Sequence, residues 1–241
     1  MKTVILLLAL VSILFANEAD EIIKKLDNNM RGVNVYMSMS MKVVSLKHER
    51  TMKLQSWSEG TKKSFTKIIY PPKDKGITFL SLDNEMWQYV PKIEKTIKIP
   101  PSMMLQNWMG SNLTNDDLVK QSSIIDDYDA RVLKKDGDIV TIELIPKEDA
   151  AVVWGKVVLN IDTSNYTSIK DIFYDEDGLE VRYFIYENVK TFGKYSIPTY
   201  WKIQPVDKKN NYTEIILDEV EYDQDISNSY FKKSALKRFS R

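Results

Sequence analysis

The 241-residue sequence contains no cysteine and a single histidine, His48. Disulfide bonds, thiolate nucleophiles and Cys-ligated metals are therefore excluded, and one histidine removes most zinc sites and nearly all histidine-based catalysis. Net charge is also missing, since 34 basic residues balance 34 acidic ones. The basic excess typical of nucleic-acid-binding proteins is thus absent. Gly-rich phosphate loops and the GxSxG and HExxH motifs do not occur either, so we expect no cofactor, metal or nucleic-acid ligand.

The N-terminal residues have the pattern of an export signal. Lys2 supplies a short positive region, residues 4–15 are an uninterrupted apolar or small run, and Ala16 offers a small residue for cleavage. An apolar helix of that length covers about 18 Å, which is less than the ~30 Å hydrocarbon core of a bilayer. We predict a signal peptide over 1–16 and a soluble, exported single domain over 17–241 that is not lipid-anchored. A transmembrane anchor is the alternative.

The hydrophobic period changes near Gly32. Ile22, Ile23, Leu26 and Met30 form one stripe at helical spacing, which predicts an amphipathic helix over 19–30. Residues 33–43 then alternate between apolar and polar side chains, which is typical of a long antiparallel strand with one buried face.

Strand-like segments continue along most of the remaining chain. A second helix is predicted from residue 115 to about 123, with Thr114 or Asn115 as its N-cap. Many short strands, with helices only near the start and the middle, predict an α+β, mostly β, protein with a single strongly curved antiparallel sheet. The segments are 50–58, 61–70, 76–82, 85–90, 92–99, 128–135, 138–145, 153–162, 166–174, 178–190, 194–204 and 211–223.

Two groups of soft apolar residues stand out. The first lies on one face of the first strand and consists of Met37, Met39 and Met41. The second follows a Pro-Pro pair and consists of Met103, Met104, Leu105, Trp108 and Met109. Methionine is flexible and polarisable, and it is frequent on surfaces that fit ligands of variable shape. These residues therefore either fill a core or line a ligand cavity under the curved sheet.

The charged segments predict exposed turns and ends. The Asp175 to Asp177 cluster precedes Gly178 but lacks the ligand spacing of a calcium loop. No feature of the sequence brings two carboxylates together for hydrolysis. His48 is expected at the surface near a turn, and the basic tail over 232–241 is expected to be a frayed, solvated end.

The stretch from Met86 to Leu118 carries a recognisable order of residues, namely Trp87, Tyr89, Val90 and Pro91, then Met109, Gly110 and Ser111, then Asp116, Asp117 and Leu118. It resembles the bacterial outer-membrane lipoprotein-sorting protein family, which is similar to the periplasmic carriers LolA and LolB. A signal peptide and a short helix before a long strand also fit this family. The sequence departs from the pattern at Lys92, Lys95 and Lys98, where arginines are expected, and at Asn112, where an acidic residue is common.

The resemblance implies a half-open β-barrel whose concave face is covered by helices. It implies a non-enzymatic, monomeric periplasmic carrier that binds acyl chains of lipids or lipoproteins between an inner-membrane exporter and the outer membrane. The cavity would be lined by Met37, Met39, Met41, Leu54, Trp87, Tyr89, Met103, Met104, Leu105, Trp108 and Met109. The alternatives are a sensor or adaptor of the same fold that binds a membrane-protein partner, a hydrolase with facing carboxylates in the cleft, and a structural β-protein with a filled core.

Overall fold

The computed structural model describes residues 18–119, 124–150 and 152–241. The predicted signal peptide, residues 1–16, lies outside the described residues. Within the described ranges, no helix combines the length and the apolar character that crossing a bilayer would require.

In the described part of the chain, thirteen antiparallel strands form one sheet, in the order β6-β5-β4-β3-β2-β1-β13-β12-β11-β10-β9-β8-β7. The strands are β1 (Asn34–Val44), β2 (Glu49–Glu59), β3 (Lys63–Tyr70), β4 (Thr78–Leu82), β5 (Glu85–Val90), β6 (Lys95–Ile99), β7 (Tyr128–Asp136), β8 (Ile139–Pro146), β9 (Lys156–Asp162), β10 (Thr167–Tyr174), β11 (Glu180–Phe192), β12 (Tyr195–Pro205) and β13 (Tyr212–Tyr222). Two meanders meet where β1 pairs with β13. The sheet is curved and half-open, with β6 and β7 as its edges, which confirms the predicted fold class.

Among the described residues, four α-helices accompany the sheet: α1 (residues 18–31), α2 (Asn115–Val119), α3 (Ile124–Asp127) and α4 (Lys233–Arg238). The first predicted helix is confirmed. The second begins where predicted and is described up to Val119, while residues 120–123 lie outside the described part of the chain. Thr114 is its N-cap, because Thr114 Oγ1 accepts a hydrogen bond from the Asp117 N–H at 3.2 Å. The Asp117 carboxylate in turn accepts one from the Thr114 N–H at 2.7 Å.

The concave face of the sheet is covered at both ends. Helix α1 buries Ile23 and Leu26 against the apolar side chains of β7 to β9. The other end is covered by residues 100–119, which we call the covering segment. Its Trp108 is 2% exposed and packs against Phe79, with ring centroids 5.1 Å apart. The two covers leave a space between them.

The prediction of a frayed C-terminal tail is wrong. Helix α4 packs on the opposite, convex face of the sheet, and its Ala235 and Leu236 are completely buried. The Leu236 carbonyl accepts a hydrogen bond from Thr78 Oγ1 at 2.7 Å. Strands β3 to β5 carry large apolar side chains on both faces, so the convex face also needs a cover, and an end with apolar residues at helical spacing provides it.

Candidate functional site: an apolar cavity under the sheet

A cavity of about 330 Å³ lies between the sheet, α1 and the covering segment. This volume falls at the small end of ligand pockets in proteins. Its apolar wall is formed by Leu26, Met30, Val35, Met37, Met39, Met41, Leu54, Trp108, Leu113, Leu118, Leu144, Val152, Trp154, Val157, Leu159, Phe173, Phe184, Pro198, Trp201 and Ile215. Residues at every second position of β1 contribute, because successive side chains of a strand point to opposite faces.

Five residues of the predicted set line this cavity: Met37, Met39, Met41, Leu54 and Trp108. The β1 methionines and Leu54 come from neighbouring strands, with Met39 directly opposite Leu54 in the register. Trp108 reaches the cavity from the covering segment. The sequence therefore identified one wall and part of the cover.

The other predicted residues lie elsewhere. Trp87 and Tyr89 point to the convex face and share a buried cluster with Phe231 of the C-terminal end, while Met86, directly before Trp87, faces the concave core. This placement corrects the expectation that they line the cavity, and the reason is the strict alternation of side chains along β5. Met103 and Leu105 are 37% and 57% exposed on the outside of the covering segment.

The remaining predicted positions shape the covering segment. Met104 and Met109 are half-buried and pack against the main core without lining the cavity. Gly110 adopts φ +71, a left-handed conformation that glycine takes without strain. The Ser111 hydroxyl donates to the Trp108 carbonyl at 2.7 Å and accepts from the Leu113 N–H at 3.1 Å. The Met-Gly-Ser motif thus forms the tight turn that positions Trp108.

An aromatic row on the far wall was not predicted. Neighbouring ring centroids lie 5.2, 5.1, 6.1 and 6.1 Å apart. Such tilted or edge-on pairs stabilise beyond the burial of area alone. The signal available in the sequence was the alternation of aromatic residues along β11. The row runs through Trp154, Phe173, Phe184, Tyr186 and Trp201.

A buried ion pair joins the cover to this wall. Arg182 of β11 is 4% exposed and donates to both carboxylate oxygens of Asp117, at 2.5 and 2.7 Å. It also donates to the Asn112 carbonyl at 3.1 Å. Its guanidinium lies 4.4 Å from the Trp154 ring centroid and 4.7 Å from that of Phe173. Bidentate geometry and stacking suit arginine and offset part of the cost of burying its charge.

A second polar group lies in the cavity wall. The Tyr186 hydroxyl donates to Asp171 Oδ2 at 2.8 Å, and both residues line the cavity. Burial raises the pKa of Asp171 to about 7, although the hydrogen bond from Tyr186 and the nearby Ser168 hydroxyl act in the opposite direction. Burial and the neighbouring Asp171 carboxyl also hold the pKa of Tyr186 well above its usual value.

Further carboxylates face the cavity. Asp27 pairs with Arg31 one helical turn away at 2.5 Å, and Asp116 and Asp127 also lie on the wall. The concave face therefore carries acidic groups. A hydrolase would require such groups in the cleft. His48, by contrast, is exposed at the turn between β1 and β2, far along the chain from these elements.

Solved structures with this architecture come from several bacteria. A DUF1329 family protein from Desulfovibrio piger is 18% identical with a TM-score of 0.84, covering 92% of this chain and 99% of that one. A putative outer membrane lipoprotein-sorting protein domain from Vibrio parahaemolyticus is 22% identical with a TM-score of 0.79, covering 92% and 100%. A LolA superfamily protein from Nitrosomonas europaea is 21% identical with a TM-score of 0.76, covering 90% and 98%. At these identities the similarity establishes the fold.

A search of curated proteins found no match. A protein-family model described as "-like: Uncharacterized protein" matches residues 60–238, which span most of the chain. The match includes the covering segment, eleven of the strands from β3 to β13, and helix α4. The chain therefore belongs to this family, and its fold is that of the LolA-like lipoprotein-sorting proteins.

Proposed function

We propose that the protein is a periplasmic, non-enzymatic carrier that binds the acyl chains of a lipid or lipoprotein and moves them toward the outer membrane. Residues 17–241 would act as one lipid-binding domain after removal of the signal peptide. The observation that carries the proposal is the apolar cavity of about 330 Å³ between the sheet and its covers. The lipoprotein-sorting relatives with the same fold support it.

The chemistry of the wall suits an acyl chain. Each buried methylene contributes about 0.8 kcal/mol, so a chain of about ten carbons would gain roughly 8 kcal/mol before ordering costs. Met37, Met39 and Met41 adapt to chains of different shape because thioether side chains have several accessible rotamers. Such a wall accommodates several conformations of the ligand, and this property suits reversible transfer.

A carrier also needs an entrance, and the covering segment is the element best suited to open. Besides the packing of Trp108, Leu113 and Val119 into the core, it is held to the sheet by a few discrete polar contacts. These are the Arg182–Asp117 ion pair and the hydrogen bonds between Asn112 and Thr213 at 2.9 Å. By contrast, each sheet strand is held by a ladder of backbone hydrogen bonds. We therefore assign cargo entry to the gap between α1 and the covering segment.

The acidic groups of the cavity do not require an enzymatic function. Asp27 and Asp117 are each neutralised by an arginine, and Asp171 is hydrogen-bonded to Tyr186. A hydrolase would need two carboxylates on either side of the substrate bond that is cleaved. A sensor or adaptor that binds a membrane protein remains the second hypothesis, and it predicts a lipid-free cavity.

The test is to purify the exported protein without detergent and to extract it for lipid mass spectrometry. We expect near-stoichiometric lipid or acylated peptide. Met39→Asp should abolish this, because it places a charge on the half-buried cavity wall.

The matched control is Ile216→Asp on β13, whose side chain is 50% exposed and next in sequence to the cavity residue Ile215. It introduces the same charge outside the cavity and should leave bound lipid unchanged. If the wild-type protein is well folded and lipid-free, does not bind added fatty acids and does bind a membrane protein, the adaptor hypothesis replaces the carrier proposal.

A further inference from the structure

One oxygen of the buried Asp171 is unpaired within the cavity wall. Asp171 is 7% exposed, and its Oδ2 accepts the hydrogen bond from Tyr186. Its Oδ1 is buried and has no hydrogen-bond partner among the described residues. Across the sheet register its neighbours are Leu159 and Phe184, both apolar. An acceptor of this kind, on the wall of a ligand-sized cavity, points to a polar group on the ligand.

Nearby cations do not satisfy this oxygen. Arg182 directs its two terminal nitrogens to Asp117 and to the Asn112 carbonyl. Arg31 pairs with Asp27 on α1. Both arginines are thus engaged with other carboxylates, and no cation among the described residues pairs with Asp171.

The energetic consequence depends on the ligand. Solvent entering the cavity provides Oδ1 with a donor, but an alkyl chain that fills the cavity expels it. A ligand without a donor then leaves the oxygen unpaired, which carries a desolvation cost. A ligand that places a hydroxyl or amide N–H there avoids this cost.

We propose that Asp171 and Tyr186 form a head-group subsite that accepts a hydrogen bond from a hydroxyl or amide N–H attached to the alkyl chain of the cargo. The inference rests on the proposed acyl-binding function and adds a chemical preference to it. Chains ending in a donor bind better than chains of equal length that carry only an acceptor or no polar group.

The experiment compares 1-decanol with its methyl ether, 1-methoxydecane, which keeps the chain and the oxygen but lacks the donor. Both are titrated at pH 8 against the protein loaded with the fluorescent probe 1-anilinonaphthalene-8-sulfonate, and displacement gives the two affinities. We expect 1-decanol to bind about tenfold more tightly, as a hydrogen bond to a charged acceptor implies.

Two substitutions separate the subsite from the cavity. Asp171→Leu should remove the preference while leaving 1-methoxydecane bound. Asp171→Asn keeps the shape and can still accept from Tyr186, but it places an N–H₂ donor where Oδ1 was. It should therefore improve binding of the acceptor ligand 2-undecanone relative to 1-decanol. Asp129→Asn, at an exposed position of β7, is the control and should behave like wild type.

The outcomes distinguish the two proposals. If both ligands displace the probe with equal affinity, or if the preference persists in Asp171→Leu, the subsite is overturned while the acyl cavity stands. If neither ligand displaces the probe from a folded protein, the acyl-binding function fails and the subsite fails with it. A gain in 2-undecanone binding relative to 1-decanol in Asp171→Asn, compared with wild type, supports the subsite specifically, because a merely structural role of Asp171 would not change the relative affinities of the two ligands.

Discussion

Arg182 on β11 and Asp117 on α2 form a buried two-point ion pair that ties the covering segment to the sheet. The same Asp117 carboxylate accepts the hydrogen bond from the Thr114 N–H at the start of α2. One side chain therefore both caps the helix and anchors it above the cavity. This double role explains why an acidic residue stands at the third position of a very short helix.

We expect Arg182→Met to lower the free energy of unfolding by about 3–5 kcal/mol, because it leaves the Asp117 charge buried and unpaired. Urea denaturation measures the change. Lys134→Met is the matched control, since Lys134 pairs with Asp136 at the solvent-exposed end of β7 and its loss should cost less than about 1 kcal/mol.

The double variant Arg182→Met/Asp117→Asn tests the coupling. Asparagine retains an oxygen that can cap α2 but carries no charge. The double variant should be more stable than Arg182→Met alone. If the two substitutions instead add independently, the ion pair does not hold the cover in place.

Asp171 should make stability depend on pH. Its pKa is about 7 in the folded protein, against 3.8 as the ordinary value. Between these values the folded state holds a proton that the unfolded state has released, so the free energy of unfolding falls as pH rises from about 4 to about 7. The full shift corresponds to a cost on the order of 4 kcal/mol above pH 7. The other ionisable groups on the cavity wall are Asp27, Arg31, Asp116, Asp117, Asp127, Tyr128 and Tyr186, and Arg182 lies beside them.

Comparison with Asp171→Asn isolates this contribution, because the other groups are present in both proteins. The variant should gain stability over wild type as pH rises through 4 to 7, and the gain should stay constant above pH 8. Chemical denaturation at several pH values measures it. A stability difference that is the same at pH 4.5 and pH 8 would show that Asp171 is ionised in the folded protein throughout this range.

The C-terminal helix should be essential for stability. Leu236 is completely buried between α4 and the convex face. Leu236→Ala should cost about 2–5 kcal/mol, as for other buried leucines. Lys237→Ala, next in sequence and exposed, should change the free energy of unfolding by less than about 0.5 kcal/mol. Equal effects of the two substitutions would mean that α4 does not pack as described.

Tryptophan fluorescence should report occupation of the cavity. Trp108, Trp154 and Trp201 line it, whereas Trp57 and Trp87 lie on the convex face. A brominated fatty acid that binds in the cavity should quench the first three. In a Trp57→Phe/Trp87→Phe variant the quenched fraction should therefore rise, while binding in any other place would lower it or leave it unchanged.

The sequence alone determined the architecture. Alternation along residues 33–43 acts locally, so it specified the long first strand that the structure confirms. The methionine face of β1 was likewise readable, because period-two alternation places Met37, Met39 and Met41 on one side. The Met-Gly-Ser turn that presents Trp108 was also visible as a motif.

Tertiary structure decided which face of each strand meets the cavity. Alternation separates Met86 from Trp87 and Tyr89, but it does not state which set is concave, and here both faces of β5 are buried. The C-terminal end was misread for the same reason, since its burial depends on an apolar convex face built from β3 to β5. Arg182 and Asp117, 65 positions apart, and Asp171 and Tyr186, on neighbouring strands, become partners only through the strand register and the packing of the cover. Contacts between distant residues leave no periodic signal in a single sequence, so the polar features of the cavity emerged only from the fold.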